Sequence, residues 1–409
     1  MDTASESERV VGAAEAARRL GVAPATLYAY VSRGLVRSLA APGGRTRLYR
    51  LADIEALVAR RALGRSPARI AQATLDWGAP VLESALTAIV DGRFYYRGRD
   101  AVGFAATHTL EDAARLLWGD AAAGAFGADN LPPLPVLPAY GRSPHAAMDR
   151  CFAAVALAAP LDRAALDLSP AGVARCGARL VRLLAAASVD AKPGPAPIHE
   201  QLARGWGRPA AADAVRQALV LCADHELNAS AFTARCAAST GATPYAALIG
   251  GLAALQGPRH GGVTRRVEDL LDLPAVARDP DEAVADRLRL GEAMPGFGHA
   301  LYPDGDPRAN ALLALAAAQR GDAAVLRRAN GLAAAVRRLT GQRPNLDYGT
   351  VTLCRQLGLP DGAALVLFLV GRSVGWIAHA IEQYATGRII RPRARYVGVP
   401  IIPAGLESG

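Results

Sequence analysis

The sequence predicts a mainly α protein: a large helical body with a small reader-like unit ahead of it. Three observations carry this. Between Ala146 and Gly257 the chain is almost continuously rich in Ala and Leu at helical spacing, broken only by Gly and Pro, as at Pro193–Pro197. Strand and helix patterns do not alternate, so no parallel sheet is expected and helices must pack on helices. The first seventy residues differ in kind: they hold twelve Arg against six Asp and Glu, about two thirds of the chain's net charge of +9.

In chain order, residues 11–20 (VGAAEAARRL) carry helix formers with an apolar stripe at Ala14, Ala17 and Leu20. Gly21 ends that helix, and Pro24 suits the first turn of a second one, which runs through Thr26, Leu27, Tyr28 and Tyr30 to about Gly34. A hairpin is predicted next, from Leu35–Leu39 and Arg45–Arg50 around Pro42-Gly43-Gly44, and then a helix over Ala52–Arg61. Two short helices joined by a tight turn, followed by a β wing, resemble the winged helix-turn-helix of the mercury-resistance-regulator (MerR) class. Ala23 stands where that class usually has a serine, which removes an N-cap worth ~1 kcal/mol. The resemblance implies double-stranded DNA as partner of residues 8–63. Thr26, Tyr28, Tyr30 and Arg33 would face it from the second helix, and Arg45 and Arg47 from the wing.

Residues 64–74 are assigned to a linker. Ile89–Gly98 (IVDGRFYYRG) predicts short strands around a DG turn, and Leu110, Ala113, Ala114, Leu116 and Leu117 mark the next helix. Leu131–Pro138 (LPPLPVLP) is too proline-rich for helix or central strand and is expected to be a connector. Val215–Leu227 should be a helix delivering His225 near its end, with another starting at Asn228. Further helices are expected at Val267–Leu271, Asp281–Leu290, Arg308–Arg320, Ala323–Leu339, Gly362–Val370 and Val374–Tyr384.

With 409 residues, 51% of them hydrophobic and 20% charged, the chain has the composition of a globular protein of two or three domains. No apolar run is expected to reach the ~20 residues of a membrane span. The polar N-terminus lacks a signal-peptide pattern, so a cytoplasmic location is expected. Cys151, Cys176, Cys222, Cys236 and Cys354 show no CxxC spacing and are expected to be buried thiols. Lys192 is the only lysine, so part of the arginine excess is compositional.

The most informative stretch is Gly296–Arg308, GFGHALYPDGDPR. Its glycines and prolines force a loop that offers an imidazole, His299, and a guanidinium, Arg308. His225 (DHELNAS) and His260 (GPRHGG) stand upstream. Asp347 (NLDYG), Arg372 (FLVGRSVGW) and Arg391 (IIRPR) follow. In this order and rough spacing the motifs resemble the citrate synthase family from about Asp76 to Pro400. The resemblance implies a multi-helical large domain (75–262 and 359–400) and a small mobile helical domain (263–358).

It also implies condensation of acetyl-CoA with oxaloacetate. Asp347 would be the base that takes a proton from the thioester methyl, His260 the donor to the enol oxygen and His299 the acid at the ketone oxygen. His225 would hydrogen-bond the ketoacid, and Arg308, Arg372 and Arg391 would clamp its carboxylates, with Phe368 packed beside it. Arg391 in this family crosses from a second subunit, so a homodimer is implied. No metal-ligand set or dinucleotide fingerprint is present, so acetyl-CoA enters as a substrate and no tightly bound cofactor is expected. By position, Arg259, Arg265 and Arg266 would meet coenzyme A, with Gly261 and Gly262 admitting it closely.

Three departures stand out: Thr264 where the family has Asn, Arg259 where Leu is usual, and Ala300 after His299 where many members have Arg. 2-Methylcitrate synthesis differs from citrate synthesis by one methyl group, a difference the sequence leaves open. A DNA-binding regulator whose synthase-like body senses a metabolite is the alternative from another class, and an N-terminal unit that docks a protein is a third. His108, His145, His199 and His379 match no role.

Overall fold

The structure, a computed structural model, describes residues 10–32, 36–40, 47–51, 53–55, 57–58, 82–137, 146–394 and 396–399. Arg33, Arg45 and the 64–74 linker lie outside the described residues. The chain divides into two compact units, Met1–Glu83 and Ser84–Gly409.

In the first unit β1 (Val10–Gly12) leads into α1 (Ala13–Leu20), and α2 (Pro24–Ser32) follows. Gly21 adopts φ 61°, and its amide closes on the Arg18 carbonyl, which stops α1 where the sequence places the break. β2 (Ser38–Ala40) and β3 (Arg47–Arg50) pair antiparallel as the hairpin. β1 adds to β3 as a third strand that the sequence reading did not contain. The core is Ala16, Ala17, Leu20, Leu27, Val36, Tyr49, Ile54 and Leu57. Ala14, expected in the stripe, is exposed and Ala16 takes its place.

The second unit opens with the sheet β4 (Thr87–Val90), β5 (Arg93–Tyr96) and β6 (Arg99–Asp100), all antiparallel. Helices follow: α3 (Ala101–Thr107), α4 (Leu110–Trp118), α5 (Ala146–Ala158), α6 (Pro170–Ser188), α7 (Ile198–Gly205), α8 (Ala212–Cys222), α9 (Ala229–Ala238) and α10 (Pro244–Leu255). Then come α11 (Val263–Asp272), α12 (Pro274–Arg278), α13 (Pro280–Arg289), α14 (Pro307–Ala318), α15 (Ala323–Thr340), α16 (Leu346–Gln356) and α17 (Ala363–Thr386).

α17 is the hub, packed against α4, α6, α8, α9 and α10. Two helices were expected here, split at Gly371–Ser373, but the structure has one of 24 residues. The glycines serve packing instead. A Cβ on Gly371 would lie 2.6 Å from the Leu219 carbonyl oxygen, and Gly375 donates its N–H to the Ala223 carbonyl at 3.0 Å. Side chains there would push α17 off the end of α8. By length and composition α17 could cross a membrane, contrary to the expectation of no such run. Most of its apolar stretch (89%) is nevertheless buried inside the fold, alongside Arg372, Ser373 and His379.

Candidate active site

Five segments bring the expected site residues together. α8 ends at Cys222, so His225 lies just beyond it rather than within a helix reaching Leu227. It is buried, and its ring packs edge-on to His299 with centroids 5.3 Å apart. Phe368 and Arg372 project from one face of α17. The Arg372 guanidinium lies 4.9 Å from the Phe368 ring centre, and its Nε donates to the Cys222 carbonyl at 2.8 Å. Phe368 in turn packs edge-on to His260 at 5.5 Å.

The 296–298 segment and the 343–345 segment are laced together. Gly298 N–H donates to Arg343 O and Asn345 N–H to Gly296 O, both at 2.9 Å. This lacing ties the loop that carries His299, one residue beyond the first segment, to the start of the helix that carries Asp347, two residues beyond the second. α14 and α16 pack on each other, and their N-termini carry Arg308 and Asp347.

Both arginines are buried and sit close enough to bias every titratable group around them. Asp347 is partly buried and its Oδ1 has no hydrogen-bond partner among the described residues. Burial pushes its carboxyl up to about 7, against the pull of Arg308 and Arg372, and the neighbouring Asp306 adds to the push. Burial and Arg372 hold His260 down at about 4. Burial and Arg308 do the same to His299, also to about 4. His225 is held well below the ordinary histidine range by burial, Arg308, Arg372 and His299. All three imidazoles are therefore neutral at pH 7.

The neutral rings have defined partners. Leu301 N–H donates to His299 Nδ1 at 3.2 Å, which leaves the ring proton on Nε2 as a donor. Ser230 Oγ lies 2.8 Å from His260 Nε2 and 2.7 Å from Asn228 Oδ1, so its one hydrogen serves one of them at a time. When it serves His260, the ring proton sits on Nδ1. His225 Nε2 lies 2.7 Å from Tyr302 Oη.

Three groups were missed by sequence reasoning. Asp306 accepts from Arg308 Nε at 2.9 Å, from Arg308 Nη2 at 2.8 Å and from Leu346 N–H at 3.0 Å, so it orients the guanidinium and ties α14 to the start of α16. The Asp-Pro pair before Arg308 was its signal, since Asp followed by Pro marks an N-cap and first helical residue. Asp224 is wholly buried, with Thr87 Oγ1 at 2.5 Å and His379 Nε2 at 3.3 Å. Burial alone would raise its carboxyl, but His379, Arg372 and Thr87 outweigh burial and hold it below the ordinary range. Tyr302 is the third, and only its place in the loop hinted at it.

Arg391 is not brought to this cluster. It stands exposed in the extended tail after α17. Arg259 is exposed, while Arg265 pairs along its own helix with Asp269 at 3.0 Å. Gly261 and Gly262 are required by packing. A Cβ on either would come within 2.7 and 2.9 Å of the Leu255 and Gln256 carbonyls, respectively. Thr264 is buried and its hydroxyl is spent on Gly261 O at 2.8 Å. In the first unit Tyr28 is 55% exposed, Thr26 is half-buried, and Tyr30 packs partly on the core. Arg47 is exposed and donates to Ser38 Oγ at 2.8 Å. Among the described residues no group of three or more His, Cys, Asp or Glu could hold a metal ion.

Both parts of the chain are similar to known proteins. A helix-turn-helix domain matches residues 10–62. A citrate synthase of Haloferax volcanii is 40% identical over 192 residues, covering 46% of this chain and 50% of that protein. A 2-methylcitrate synthase of Shewanella oneidensis is 36% identical over 185 residues, 44% of this chain and 49% of that one. The chain thus spans about half the length of the curated relatives it matches. The crystal structure of a citrate synthase from Thermotoga maritima superimposes with a TM-score of 0.66 at 26% identity, over 81% of this chain and 98% of that one. The citrate synthase C-terminal domain matches residues 74–393, most of the sequence, and the chain belongs to the citrate synthase family.

Proposed function

We propose that the chain condenses acetyl-CoA with oxaloacetate to give citrate and CoA, and that its N-terminal unit binds DNA. The observation that carries the first part is a carboxylate with one oxygen dry and without a partner among the described residues, near two buried arginines and raised to about 7, in a cluster that also holds two neutral histidines. Such a carboxyl is a better base toward carbon than one at the ordinary value, and it ionises near neutral pH.

Asp347 takes a proton from the acetyl methyl. The thioester oxygen, gaining that electron pair as an enol, accepts from His260 Nδ1–H, with Ser230 donating to Nε2. A neutral donor fits here because the site's arginines disfavour an imidazolium. The enol carbon then bonds to the ketone carbon of oxaloacetate. The ketone oxygen, receiving the electron pair of its C=O bond, takes the proton from His299 Nε2, which regains one through solvent as Asp347 gives up the proton it took from the methyl. Water finally cleaves the thioester, releasing CoA and citrate. Arg308 Nη1 and the free nitrogens of Arg372 hold the two carboxylates, His225 lies beside them, and Arg391 would complete the clamp from a second copy in a homodimer. Residues 263–358 would form the small domain that closes over the ligands, with 75–262 and 359–400 as its base. Arg259 lies on the turn just before His260, and Arg265 and Arg266 on the helix after it, where coenzyme A phosphates would approach.

The test supplies acetyl-CoA or propionyl-CoA with oxaloacetate and identifies the product. Citrate formed faster than 2-methylcitrate supports this reading; the reverse assigns the methyl homologue. No condensation with either removes the enzymatic reading and leaves a regulator that senses a metabolite.

The DNA reading rests on α2, whose Tyr28 is exposed, and on β3, whose Arg47 is exposed, in a three-stranded sheet, and it takes that sheet as a wing like that of the MerR class. A dimer would address half-sites about one helical turn apart. A gel shift of the full chain on genomic fragments, repeated across salt concentrations, decides it. A steep salt dependence with sequence preference supports DNA as partner, and no shift at low salt points to a protein partner.

A further inference from the structure

The GFGHALYPDGDPR loop carries a third polar group between His299 and Arg308. Two successive turns set it in place: Tyr302 N–H donates to His299 O, and Gly305 N–H donates to Tyr302 O, both at 3.0 Å. Residues 299, 302, 305 and 308 thus recur at intervals of three, and the phenol falls on the side of the loop that faces the two flanking site residues. Tyr302 is 2% exposed. Its ring centre lies 4.9 Å from that of His299, 5.5 Å from that of His225 and 5.5 Å from the Arg308 guanidinium carbon. Its hydroxyl lies 2.7 Å from His225 Nε2. A phenol placed among three site side chains is well beyond what filling the core requires.

We infer that Tyr302 is a further ketoacid-positioning residue: its hydroxyl, held by His225, donates to a carboxylate or ketone oxygen of the ketoacid. This rests on the ketoacid reading above. The polarity follows from the charges around the pair. His225 is neutral, so its ring has one N–H, and the pair can be arranged in two ways. If the phenol donates to Nε2, its oxygen turns only lone pairs toward the ligand, against an anion. If Nε2–H donates to the phenol, the O–H is free to point at that anion. A dianion drawn in by Arg308 and Arg372 selects the second arrangement.

Asp306 strengthens the case, because it already occupies Nε and Nη2 of Arg308. Among the described residues only Nη1 of that guanidinium remains for the ligand, so a neighbouring donor is needed to fix orientation. Tyr302 supplies it without adding charge. Phenol and imidazole then act as one unit, and removing either should cost nearly as much as removing both.

The test is a double-mutant cycle read by binding of oxaloacetate to the full-length protein, with coenzyme A binding measured beside it. Tyr302→Phe should weaken oxaloacetate ~10–100-fold, the range for one hydrogen bond to a charged group, and leave coenzyme A within twofold. In a His225→Gln background the same change should cost less than about threefold. Unchanged oxaloacetate binding by Tyr302→Phe overturns the inference, as does an equal loss for both ligands, which marks a purely structural phenol. Losses that simply multiply in the double variant overturn the paired arrangement. A wild-type protein that binds no oxaloacetate overturns the ketoacid reading itself, and this inference with it. Should Tyr302→Phe fail to fold, Tyr302→His, which keeps a donor, must bind oxaloacetate more tightly than Tyr302→Leu; equal binding overturns the inference.

Discussion

Two helix N-termini meet at Arg308, and they treat their carboxylates in opposite ways. At the start of α14 the cap is Asp306 and the residue two places on is Arg308. At the start of α16 the cap is Asn345 and the residue two places on is Asp347. In each, the cap oxygen accepts the N–H of that later residue, at 3.0 and 3.1 Å. The backbones match, yet Asp306 is held below the ordinary carboxylate range while Asp347 is raised to about 7. Burial pushes both up. Asp306 wins it back through the charge of Arg308, its bidentate hydrogen bonds and the backbone amides, whereas Asp347 has an oxygen with no donor among the described residues and Asp306 as a like-charged neighbour. Hydrogen-bond donors, more than burial or the helix dipole, decide which carboxyl is a structural anchor and which is a poised base.

The largest way to probe this contrast is Asp347→Asn. It should lower turnover ~10²–10⁴-fold, the span of general base catalysis. It should also stabilise the fold at pH 8, by up to ~4 kcal/mol. The sign follows from linkage. Folded Asp347 keeps its proton up to about 7, whereas the unfolded residue loses it near the ordinary value of 3.8. Stability therefore falls as pH rises through that window and is fully penalised above it. Thermal unfolding of both proteins at pH 4 and pH 8 checks this, since the difference should appear only at the higher pH.

Next in size is Asp306→Asn, which strands a buried guanidinium and should cost ~3–5 kcal/mol in denaturant unfolding. Because Asp306 also raises Asp347, the surviving activity should show its acid limb at lower pH than the wild type. In the wild type kcat/KM should rise with pH, reach half its plateau near 7 and level off about one unit higher, since His260 and His299, at about 4, titrate far below that limb. A limb that does not move in Asp306→Asn would break the proposed coupling. A smaller effect is expected of Asn345→Ala, which removes the α16 cap and should cost ~1 kcal/mol. The smallest lies in the other unit. Arg47→Ala on the exposed wing should leave stability within ~0.5 kcal/mol and reduce the salt slope of DNA binding by about 1.

Much of this was legible in the sequence because loops and caps leave marks. The helix starts at Pro24 and Asn228 and the break at Gly21 follow from residue chemistry alone, while the helix expected from Arg308 begins one residue earlier, at Pro307. The site residues were legible through their ordered motifs. What escaped depends on tertiary approach. Gly371 and Gly375 look like helix breakers until the end of α8 is seen pressed against them, so α17 was divided in two. β1 is three residues long and gains its identity only by pairing with β3. Asp306, Asp224 and Tyr302 carry no local signature of their roles, because those roles are set by partners far away in the chain: Leu346 for the first, His379 for the second and His225 for the third.

One measurement bears most directly on the poised base: release of free CoA from acetyl-CoA and oxaloacetate by wild type and Asp347→Asn, with oxaloacetate binding followed in parallel. Undiminished binding with CoA release reduced at least a hundredfold is the expected result. Equal rates of release from the two proteins would show that Asp347 takes no proton.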